Sequence, residues 1–310
     1  MKTGNWPCLA NGRRVAVIGA GPAGIAAAIQ LLRQGLQPIV FEGAAVGGLL
    51  GEAWLVENYP GFPGGIAGPK LAKLMGEQLE LCGIEVIAEE VLSLESEGPC
   101  DAASGMVVTT ASGRVDVPRA IVASGTAPAG DHGIAIAQAV SGRVLRGIRP
   151  LWGVKRARIV IVGGGDAAFD HAAGLAEMND VTVVVRSDSA RCIPILLERA
   201  ENSPNIELLW DTAALSVGED PDGSPAVVCE SAGSRSSLKC DHVVLALGRT
   251  PSLAFVSPQL LSARARLQER GVLFFAGDVV SGACRQTAIA VGQGVMCAMR
   301  MASCALRKAE

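Results

Sequence analysis

Short apolar runs, each followed by a turn rich in glycine or polar residues, recur along this chain and predict the strands of parallel sheets. The run at 14–18 leads into a glycine-rich turn at 19–24 and then into helical spacing of apolar residues over 25–32. The same succession begins again at 158–162, with a turn at 163–168. Further predicted strands lie at 38–41, 120–123, 181–185, 242–247 and 272–276. This repetition predicts an α/β protein with two Rossmann-like, three-layer dinucleotide-binding domains.

Three other segments have clear local patterns. Helical spacing extends over 68–82. The runs 107–111 and 114–118 predict a hairpin around Ser112 and Gly113. The glycine and proline of 248–251 predict a turn.

Composition and charge exclude several classes of protein. The 310 residues are 49% hydrophobic and only 4% aromatic, with 38 glycines, a balance typical of parallel sheets covered by closely packed helices. The net charge of −3 excludes a globally basic nucleic-acid binder. Every apolar run is interrupted before the roughly 20 residues that a membrane span requires, so we expect no transmembrane helix. The first residues do not resemble a signal peptide, and we therefore expect a cytoplasmic protein.

The first glycine-rich turn has the spacing of a dinucleotide-binding fingerprint. Its first glycine allows a tight turn, the second lets the backbone approach a pyrophosphate, and the third lets helix and strand pack closely. The helix N-terminus then stabilises negative charge. Glu42 closes the next strand about 20 residues further on, where a carboxylate can bind the ribose hydroxyls of an adenosine. The residues predicted to form this site are Gly19, Gly21, Pro22, Ala23 and Gly24.

The second turn has alanine in place of the last glycine, which the fingerprint tolerates. The strand after it ends at Arg186, where a site for NAD would carry an acid. Arginine at this position can pair with a 2′-phosphate, and Arg191 lies close enough in sequence to help. The pattern favours NADP and leaves NAD open. The turn residues predicted to bind the nucleotide are Gly163, Gly165, Asp166 and Ala167.

A third candidate site follows the last predicted strand. Gly277 and Asp278 end this strand, and helical spacing resumes from Arg285. A carboxylate at a strand end can accept hydrogen bonds from a polyol, and a helix start directs free N–H groups at an electron-rich ring edge. Both features suit a flavin.

The run 271–298 resembles the C-terminal flavin-binding segment of the low-molecular-weight thioredoxin reductases. In that family Asp278 would hold the ribityl chain, while Arg285, Gln286 and Thr287 would contact the pyrimidine side of the isoalloxazine ring. Segments 47–50 and 57–65, the second containing the sequence ENYPGFP, resemble the loops that wrap the flavin in that family. The resemblance places Gly48, Leu49, Leu50 and Asn58 at the flavin, and makes Gly125 part of a turn like the family's Ala-Thr-Gly.

This chain departs from the family pattern at two of these positions. Leu49 stands where a glutamine is common, so one polar contact to the flavin is missing. Ser187 stands where the NADP motif has a further arginine, which weakens the preference for NADP. The resemblance implies FAD and NADP(H) as cofactors and a homodimer. It also implies that an FAD domain, 13–124 and 245–310, is split around an NAD(P) domain, 125–244, after an N-terminal extension, 1–12.

The redox-active dithiol of the thioredoxin reductases is missing from this sequence. Its position, about ten residues before the first strand of the nicotinamide domain, falls on 146–149, which reads Arg-Gly-Ile-Arg. No cysteine occurs from Asp101 to Arg191, and no C-x-x-C pair occurs anywhere in the chain. A thiolate is the nucleophile of disulfide exchange and arginine cannot replace it. Thioredoxin reduction by the family mechanism is therefore not expected.

The same region is rich in positive charge. No acidic residue occurs from His132 to Gly165, although this span contains Arg143, Arg146, Arg149, Lys155, Arg156 and Arg158. Such a surface could steer an acidic partner or substrate towards the flavin, with Arg143, Arg146 and Arg149 as docking candidates. A solvated face near the nucleotide phosphates is the alternative interpretation.

Other cysteines and the histidines offer few catalytic candidates. The nine cysteines are scattered, and none of the three histidines has metal-ligand spacing, so no metal site is expected. Cys284 precedes a predicted helix start, where a thiolate would be stabilised, but it lacks a resolving partner. Cys297 and Cys304 share a helix face, and we interpret them and His171 as structural.

These observations predict an NAD(P)H-dependent FAD oxidoreductase without a redox-active dithiol. Electrons would pass from NADPH through FAD to an acidic carrier protein or a small disulfide. The alternatives are electron transfer of the ferredoxin- or flavodoxin-NADP reductase type, which could supply an iron-sulfur or radical enzyme, direct reduction of a lipoyl-type disulfide, and a flavin-binding protein without turnover.

Overall fold

The computed structural model describes residues 13–98 and 105–306. The proposed N-terminal extension, Cys8 and Cys100 lie outside the described residues. Two five-stranded parallel sheets dominate the molecule, and each has a glycine-rich turn after its central strand. The first sheet is formed by strands from the N-terminal and C-terminal parts of the chain, and we call it, with the elements packed on it, the first unit. The sheet formed by the middle of the chain, with its covering elements, is the second unit.

The central sheet of the first unit consists, in spatial order, of Leu273–Phe275 (β21), Ala120–Val122 (β9), Arg14–Ile18 (β1), Gln37–Phe41 (β2) and Val86–Ile87 (β5). Beside it the first unit has a three-stranded antiparallel sheet of Ser93–Ser96 (β6), Met106–Thr110 (β7) and Gly113–Val117 (β8). In chain order its N-terminal elements are β1 Arg14–Ile18, α1 Pro22–Arg33, β2 Gln37–Phe41, β3 Leu55–Val56, β4 Ile66–Ala67, α2 Gly68–Leu81, β5 Val86–Ile87, β6 Ser93–Ser96, β7 Met106–Thr110, β8 Gly113–Val117 and β9 Ala120–Val122.

The second unit has the strand order β12-β19-β13-β14-β15, with a second sheet of order β11-β16-β17-β18 on one face. Its elements follow a connecting strand, β10 Thr126–Pro128, and are β11 Ala135–Ile136, β12 Val144–Leu145, β13 Arg158–Val162, α3 Asp166–Leu175, β14 Asp180–Val184, α4 Pro194–Glu201, β15 Ile206–Leu209, β16 Ala213–Glu219, β17 Pro225–Ser231, β18 Ser234–Lys239 and β19 His242–Leu245.

The chain then returns to the first unit. The remaining elements are β20 Arg249–Pro251, α5 Pro258–Ser262, α6 Arg264–Glu269, β21 Leu273–Phe275 and α7 Thr287–Leu306. Short 3-10 turns occupy Gly48–Glu52, Gln138–Arg143, Arg149–Leu151 and Gly277–Val279.

The register of the central strands brings the predicted sites to one edge of each sheet. Ile18 at the end of β1 lies opposite Phe41 of β2 and Val122 of β9. Val162 at the end of β13 lies opposite Val184 and Leu245 in the same way. Because carboxyl ends of parallel strands meet at one edge, the turns that follow them converge there.

Buried apolar residues cover both faces of each sheet. One core of the first unit lies under α1, α2 and α7, and the other lies under the antiparallel sheet, α5 and α6. The second unit has one core under α3 and α4 and another under β16 to β18. Each unit therefore has the three layers expected from the alternating strands and helices.

Most predicted elements agree with the structure to within two residues, including the hairpin of β7 and β8. The predicted turn at 248–251 is wrong. Arg249–Pro251 is a strand whose backbone pairs antiparallel with β10, so that Thr126 lies opposite Pro251 and Pro128 opposite Arg249. These two strands carry the chain out of the first unit and back, and running side by side they satisfy each other's backbone groups.

Helix α7 is long and apolar enough, by length and composition, to cross a membrane. One of its faces is buried in the first unit, where Ala298, Met301 and Ala302 are fully or almost fully inaccessible. Gly294 lies so near α1 that a Cβ there would sit 2.1 Å from the carbonyl oxygen of Ala23. That face of the helix belongs to the core of the first unit.

Candidate functional site

The first glycine-rich turn is closed by steric contacts that only glycine permits. Gly19 has φ +103°, and a Cβ there would lie 2.4 Å from the carbonyl oxygen of Ala123. A Cβ at Gly24 would lie 1.8 Å from the carbonyl oxygen of Gly19. Gly21, in contrast, faces open space. The first and third glycines therefore fix the turn, and the second leaves room for a ligand to approach the backbone at the start of α1.

Glu42 follows β2 and reaches back to this turn. Its Oε2 accepts a hydrogen bond from the backbone N–H of Ala20 at 2.8 Å, and its Oε1 accepts one from Ala44 at 2.9 Å. The carboxylate is thereby held beside the turn with lone pairs remaining for a ligand. The contact of Glu42 with a ribose stays a prediction.

The predicted flavin loop contacts the same turn. A Cβ at Gly48, which has φ +54°, would lie 3.2 Å from the Cα of Gly21, so the two backbones face each other closely. Leu50 is buried in the core, whereas Leu49 is exposed. Pro22 begins α1, and Ala23 lies close enough to Gly277 that a Cβ at this glycine would be 2.8 Å from the Ala23 side chain.

The residues after β21 provide polar groups that fit a flavin. The Nε of Arg285 is buried and has no hydrogen-bond partner among the described residues. Asn58 donates a hydrogen bond to the side chain of Gln286. Burial raises the pKa of Asp278, against the opposing effects of the cations of Arg285 and Arg249. An orphaned donor and a half-buried carboxylate are the groups that a ring edge with carbonyls and a polyol would satisfy.

The second glycine-rich turn repeats the geometry of the first. Gly163 has φ +153°, and a Cβ there would lie 2.4 Å from the carbonyl oxygen of Ala246, whereas Gly165 faces open space. Asp166 begins α3 and accepts a hydrogen bond from the backbone of Ile193 at 2.9 Å. Ala167 faces the cleft described below.

The predicted phosphate-binding residues lie beside this second turn. Arg186 and Arg191 are exposed, and the backbone N–H of Arg191 donates to the carbonyl oxygen of Gly164 at 2.7 Å. The hydroxyl of Ser187 donates to the carbonyl oxygen of Ser189 at 2.7 Å. The loop is thus fixed by its backbone, and the two guanidinium groups remain available to an anionic ligand.

One cleft of about 1770 Å³ joins the two sites. The first unit contributes Asn58, Asp278, Arg285, Gln286 and Thr287 to its walls, and the second contributes Gly163, Gly165, Asp166, Arg186, Ser187 and Arg191. Gly125, with φ +63°, begins the connection between the units and faces open space. The structure therefore brings the predicted flavin and nicotinamide residues to one space. The turn of Gly19 to Gly24 lies outside its lining.

Three arginines of the arginine-rich segment form ion pairs. Arg146 pairs with Asp131, Arg149 with Glu52 (Nε to Oε1, 3.4 Å), and Arg158 with Asp241 (Nη2 to Oδ1, 2.9 Å). Arg143 donates weakly to the carbonyl oxygen of Gly223 at 3.4 Å, outside the cleft. Three carboxylates outside the segment thus neutralise part of the predicted basic surface, and the docking role of Arg143, Arg146 and Arg149 stays a prediction.

The cysteines of the described ranges lie outside the lining of the cleft, although Cys284 stands between two lining residues, Ala283 and Arg285. All seven in the described ranges are free thiols, and none of them lines it. Cys284 is exposed, three residues before α7. Cys297 is buried against β21, and this burial raises its pKa to about 11. Cys304 packs closely on Gly271: a Cβ added at Gly271 would lie 2.3 Å from the Cβ of Cys304. The structural interpretation of Cys297 and Cys304 agrees with these contacts.

Four residues at the cleft or its rim were missed by sequence reasoning. Glu52 and Arg249 line the cleft, while Trp54 and Arg199 connect the units beside it. His171 also lines the cleft, and its Nδ1 has no hydrogen-bond partner in the part of the chain that the structure describes. No local pattern marks the first four, because their partners lie tens of residues or more away.

Two parallel sheets, each with a glycine fingerprint, and a shared cleft define the class of flavoproteins that bind two dinucleotides on one chain. The family model described as pyridine nucleotide-disulphide oxidoreductase matches residues 13–294, and the chain belongs to this family. It is an NAD(P)H-dependent flavin oxidoreductase of thioredoxin reductase type, a type that uses FAD and NADPH.

Its relatives match along most of the chain. The thioredoxin reductase of Streptomyces clavuligerus is 33% identical over 302 residues, covering 93% of this chain and 92% of the relative. That of Mycolicibacterium smegmatis is 33% identical and covers 90% and 92%. The crystal structure of the Lactococcus lactis thioredoxin reductase, in its FR conformation, superposes with a TM-score of 0.82 at 25% identity, covering 95% of this chain and 99% of that one.

Proposed function

We propose that this protein passes electrons from NADPH through FAD to an acceptor without using a dithiol of its own. The observation that carries the proposal is the segment 146–149, where the family resemblance places the dithiol. It contains no cysteine, and it is held against the first unit because Glu52 Oε2 accepts hydrogen bonds from Ile148 and Arg149 at 2.6 and 2.8 Å.

The proposed FAD site uses groups of the first unit. The start of α1 and the open backbone at Gly21 would hold the pyrophosphate, and Glu42 would hold the adenosine ribose. Asp278 would accept hydrogen bonds from the ribityl hydroxyls, while Arg285 and Gln286 would donate to the pyrimidine edge. When bound, FAD supplies hydride acceptance and electron transfer; the side chains supply position and charge.

The proposed NADPH site uses groups of the second unit. The start of α3 and the open backbone at Gly165 would hold the pyrophosphate, and Arg186 and Arg191 would pair with the 2′-phosphate. Because both sites border the same cleft, the nicotinamide and the flavin ring can meet within it. The domain boundaries at 124 and 245 belong to this proposal.

The acceptor is proposed by class. An acidic electron carrier and a small disulfide both remain candidates, and the ion pairs of Arg146 and Arg149 reduce the charge that would attract the carrier. A cytoplasmic homodimer is also part of the proposal.

The test is an anaerobic titration of the purified flavoprotein with NADPH and, separately, NADH, following the absorbance of oxidised FAD. We expect NADPH to bleach it stoichiometrically and faster than NADH. The reduced protein is then mixed with a thioredoxin in its disulfide form, with lipoamide and with an oxidised ferredoxin. Catalytic reduction of the thioredoxin would contradict the proposal, whereas reoxidation by lipoamide or ferredoxin would identify the acceptor class.

A further inference from the structure

The two units are joined by more than the strands β10 and β20. Residues of the segment 52–57 in the first unit, which includes strand β3, contact three separate elements of the second. We call Glu52, Trp54 and Glu57 the clamp residues. Glu52 contacts the turn Arg149–Leu151 and Ile148 before it, Trp54 contacts helix α3, and Glu57 contacts helix α4.

Glu52 makes the first group of contacts. Its Oε2 accepts the two backbone hydrogen bonds described above, and its Oε1 lies 3.4 Å from the Nε of Arg149. The Nη2 of Arg149 donates in turn to the carbonyl oxygen of Gly48 at 2.9 Å. The indole N–H of Trp152 donates to the carbonyl oxygen of Gly51 at 3.2 Å. This corner of the second unit is therefore hydrogen-bonded along the whole 3-10 turn of the predicted flavin loop.

Trp54 makes the second group. Its backbone N–H donates to Asp170 Oδ2 at 2.8 Å, and its indole N–H donates to Glu177 Oε1 at 3.1 Å. The ring lies so close to α3 that a Cβ at Gly174 would be 2.7 Å from Trp54 Cγ. Gly174 lies in the last turn of α3, and because it has no side chain it admits the indole ring of the other unit.

Glu57 makes the third group. Both of its carboxylate oxygens accept hydrogen bonds from Arg199, at 2.7 and 2.8 Å, and these bonds lower its pKa. The guanidinium carbon of Arg199 also lies 5.6 Å from the centroid of the Trp54 ring, within range of a cation–π contact. Arg199 therefore couples the second and third groups of contacts.

We propose that Glu52, Trp54 and Glu57 are positioning residues that hold the two units in a single arrangement, with the nicotinamide site facing the flavin site throughout turnover. The inference rests on the proposed function for its catalytic meaning. A rotation of the second unit would break three groups of contacts at once, since they lie on three different elements. A dithiol on the second unit would have to move to the flavin and away from it again during turnover. Because this chain has no dithiol at that position, no step of the proposed reaction requires the second unit to rotate.

The first experiment measures the arrangement itself, in the full-length, flavin-loaded protein. Spin labels are introduced through non-natural residues at the exposed positions Lys73 on α2 and Glu201 on α4, and their distance distribution is recorded. We expect one population for the wild type and a second or broadened population for the double variant W54A/E57Q. Two well-populated distances in the wild type, or an unchanged distribution in the variant, would overturn the proposal.

Asp241→Asn is the matched control. Arg158 binds Asp241 through two nitrogens, as Arg199 binds Glu57, but both partners lie within the second unit. This variant removes a similar ion pair without touching the contact between units. Its distance distribution is expected to match that of the wild type.

The second experiment separates positioning from simple stability. Stopped-flow reduction by NADPH yields the nucleotide Kd and the limiting rate of flavin reduction. For W54A/E57Q we expect the rate to fall roughly tenfold or more, because misplacing reacting groups by about 1 Å costs up to about a hundredfold, while the Kd stays within twofold. The charge-swapped pair E57R/R199E is expected to recover part of the rate lost in E57R. A rate unchanged in W54A/E57Q, or no recovery in the swapped pair, would count against the inference.

The two proposals can fail separately. If NADPH does not reduce the wild-type flavin, the proposed function fails, and the label distances still decide whether the units are held in one arrangement. If the wild type is reduced and yet shows two arrangements, only the clamp is refuted.

Discussion

The two glycine-rich turns have the same backbone plan but differ at the third position. In the first unit a Cβ at Gly24 would collide with the carbonyl oxygen of Gly19, whereas in the second unit Ala168 occupies the equivalent position and is fully buried. Helix α7 also packs closely against α1 at Gly294. The first turn therefore has no space for a side chain at its third position, whereas the second turn accommodates a methyl group there.

The strands beside the two turns also differ. Glu42 after β2 is held at its turn by two backbone N–H groups, while Arg186 after β14 is exposed at the cleft. An acid at this point suits ribose hydroxyls and an arginine suits a 2′-phosphate. The two turns thus have side chains of opposite charge beside them. The first two of the four predictions below test that contrast and the last two test the proposed flavin site, from the largest expected effect to the smallest.

Gly24→Ala is expected to abolish FAD binding. The added methyl group would meet a backbone oxygen at 1.8 Å, and because backbone cannot rotate away, α1 must shift, at a cost of about 3 kcal/mol of stability. The ratio of flavin to protein absorbance and the Tm check this. The matched variant Ala168→Gly should cost only about 1 kcal/mol and retain FAD; equal losses in both variants would contradict the contrast between the turns.

Arg186→Ala combined with Arg191→Ala is expected to weaken NADPH binding by about 10- to 100-fold and to leave NADH almost unchanged. Loss of one hydrogen bond to a charged group costs about 1.5–3 kcal/mol, and because both exposed arginines would bind the same phosphate, we expect the two losses to add only in part. Titration of flavin bleaching with each nucleotide measures the effect. Arg235→Ala, at an exposed arginine of β18 in the same unit, is the control. Parallel losses for NADH and NADPH would exclude the 2′-phosphate role.

Asp278→Asn is expected to weaken FAD binding about tenfold and, with flavin removed, to stabilise the protein. Burial raises the pKa of Asp278, so the folded flavin-free protein holds this proton more tightly than the unfolded chain does. Ionisation therefore costs stability as the pH rises through the unfolded pKa, and the full cost is present above the folded pKa. In thermal unfolding of the flavin-free protein, Asp278→Asn should have a higher Tm than the wild type at pH 7 and the same Tm at pH 3. Asp180→Asn, at the exposed start of β14, should show neither effect.

Cys284→Ser is expected to change neither the rate nor the extent of flavin reduction by NADPH. The thiol is exposed and does not line the cleft in which we propose that the nicotinamide and the flavin meet, so we expect it to take no part in hydride transfer. Stopped-flow absorbance checks this. Loss of acceptor turnover with normal flavin reduction would instead give Cys284 a role in the second half of the reaction. Cys297→Ser serves as the comparison, since it changes a buried packing position and is expected to lower the Tm.

Much of the fold could be read from local pattern. The central strands β1 and β13 and the helices after them are marked by apolar runs and glycine spacing, which act within a few residues. The strand β20 was not predictable, because Arg249–Pro251 contains the residue types of a turn and becomes a strand only through pairing with β10, more than a hundred residues earlier. The same limit applied to the arginine-rich segment, whose carboxylate partners Asp131, Glu52 and Asp241 lie outside it.

The sequence by itself determined the class of fold, the two dinucleotide fingerprints and the missing dithiol, because these depend on residue types at fixed short spacings. Only the tertiary structure decided that the predicted flavin and nicotinamide residues share one cleft, and that Glu52, Trp54 and Glu57 connect the two units. Such contacts join residues about a hundred positions apart, as Trp54 and Asp170 are. Their formation depends on how two separate sheets pack, and no local pattern encodes that packing.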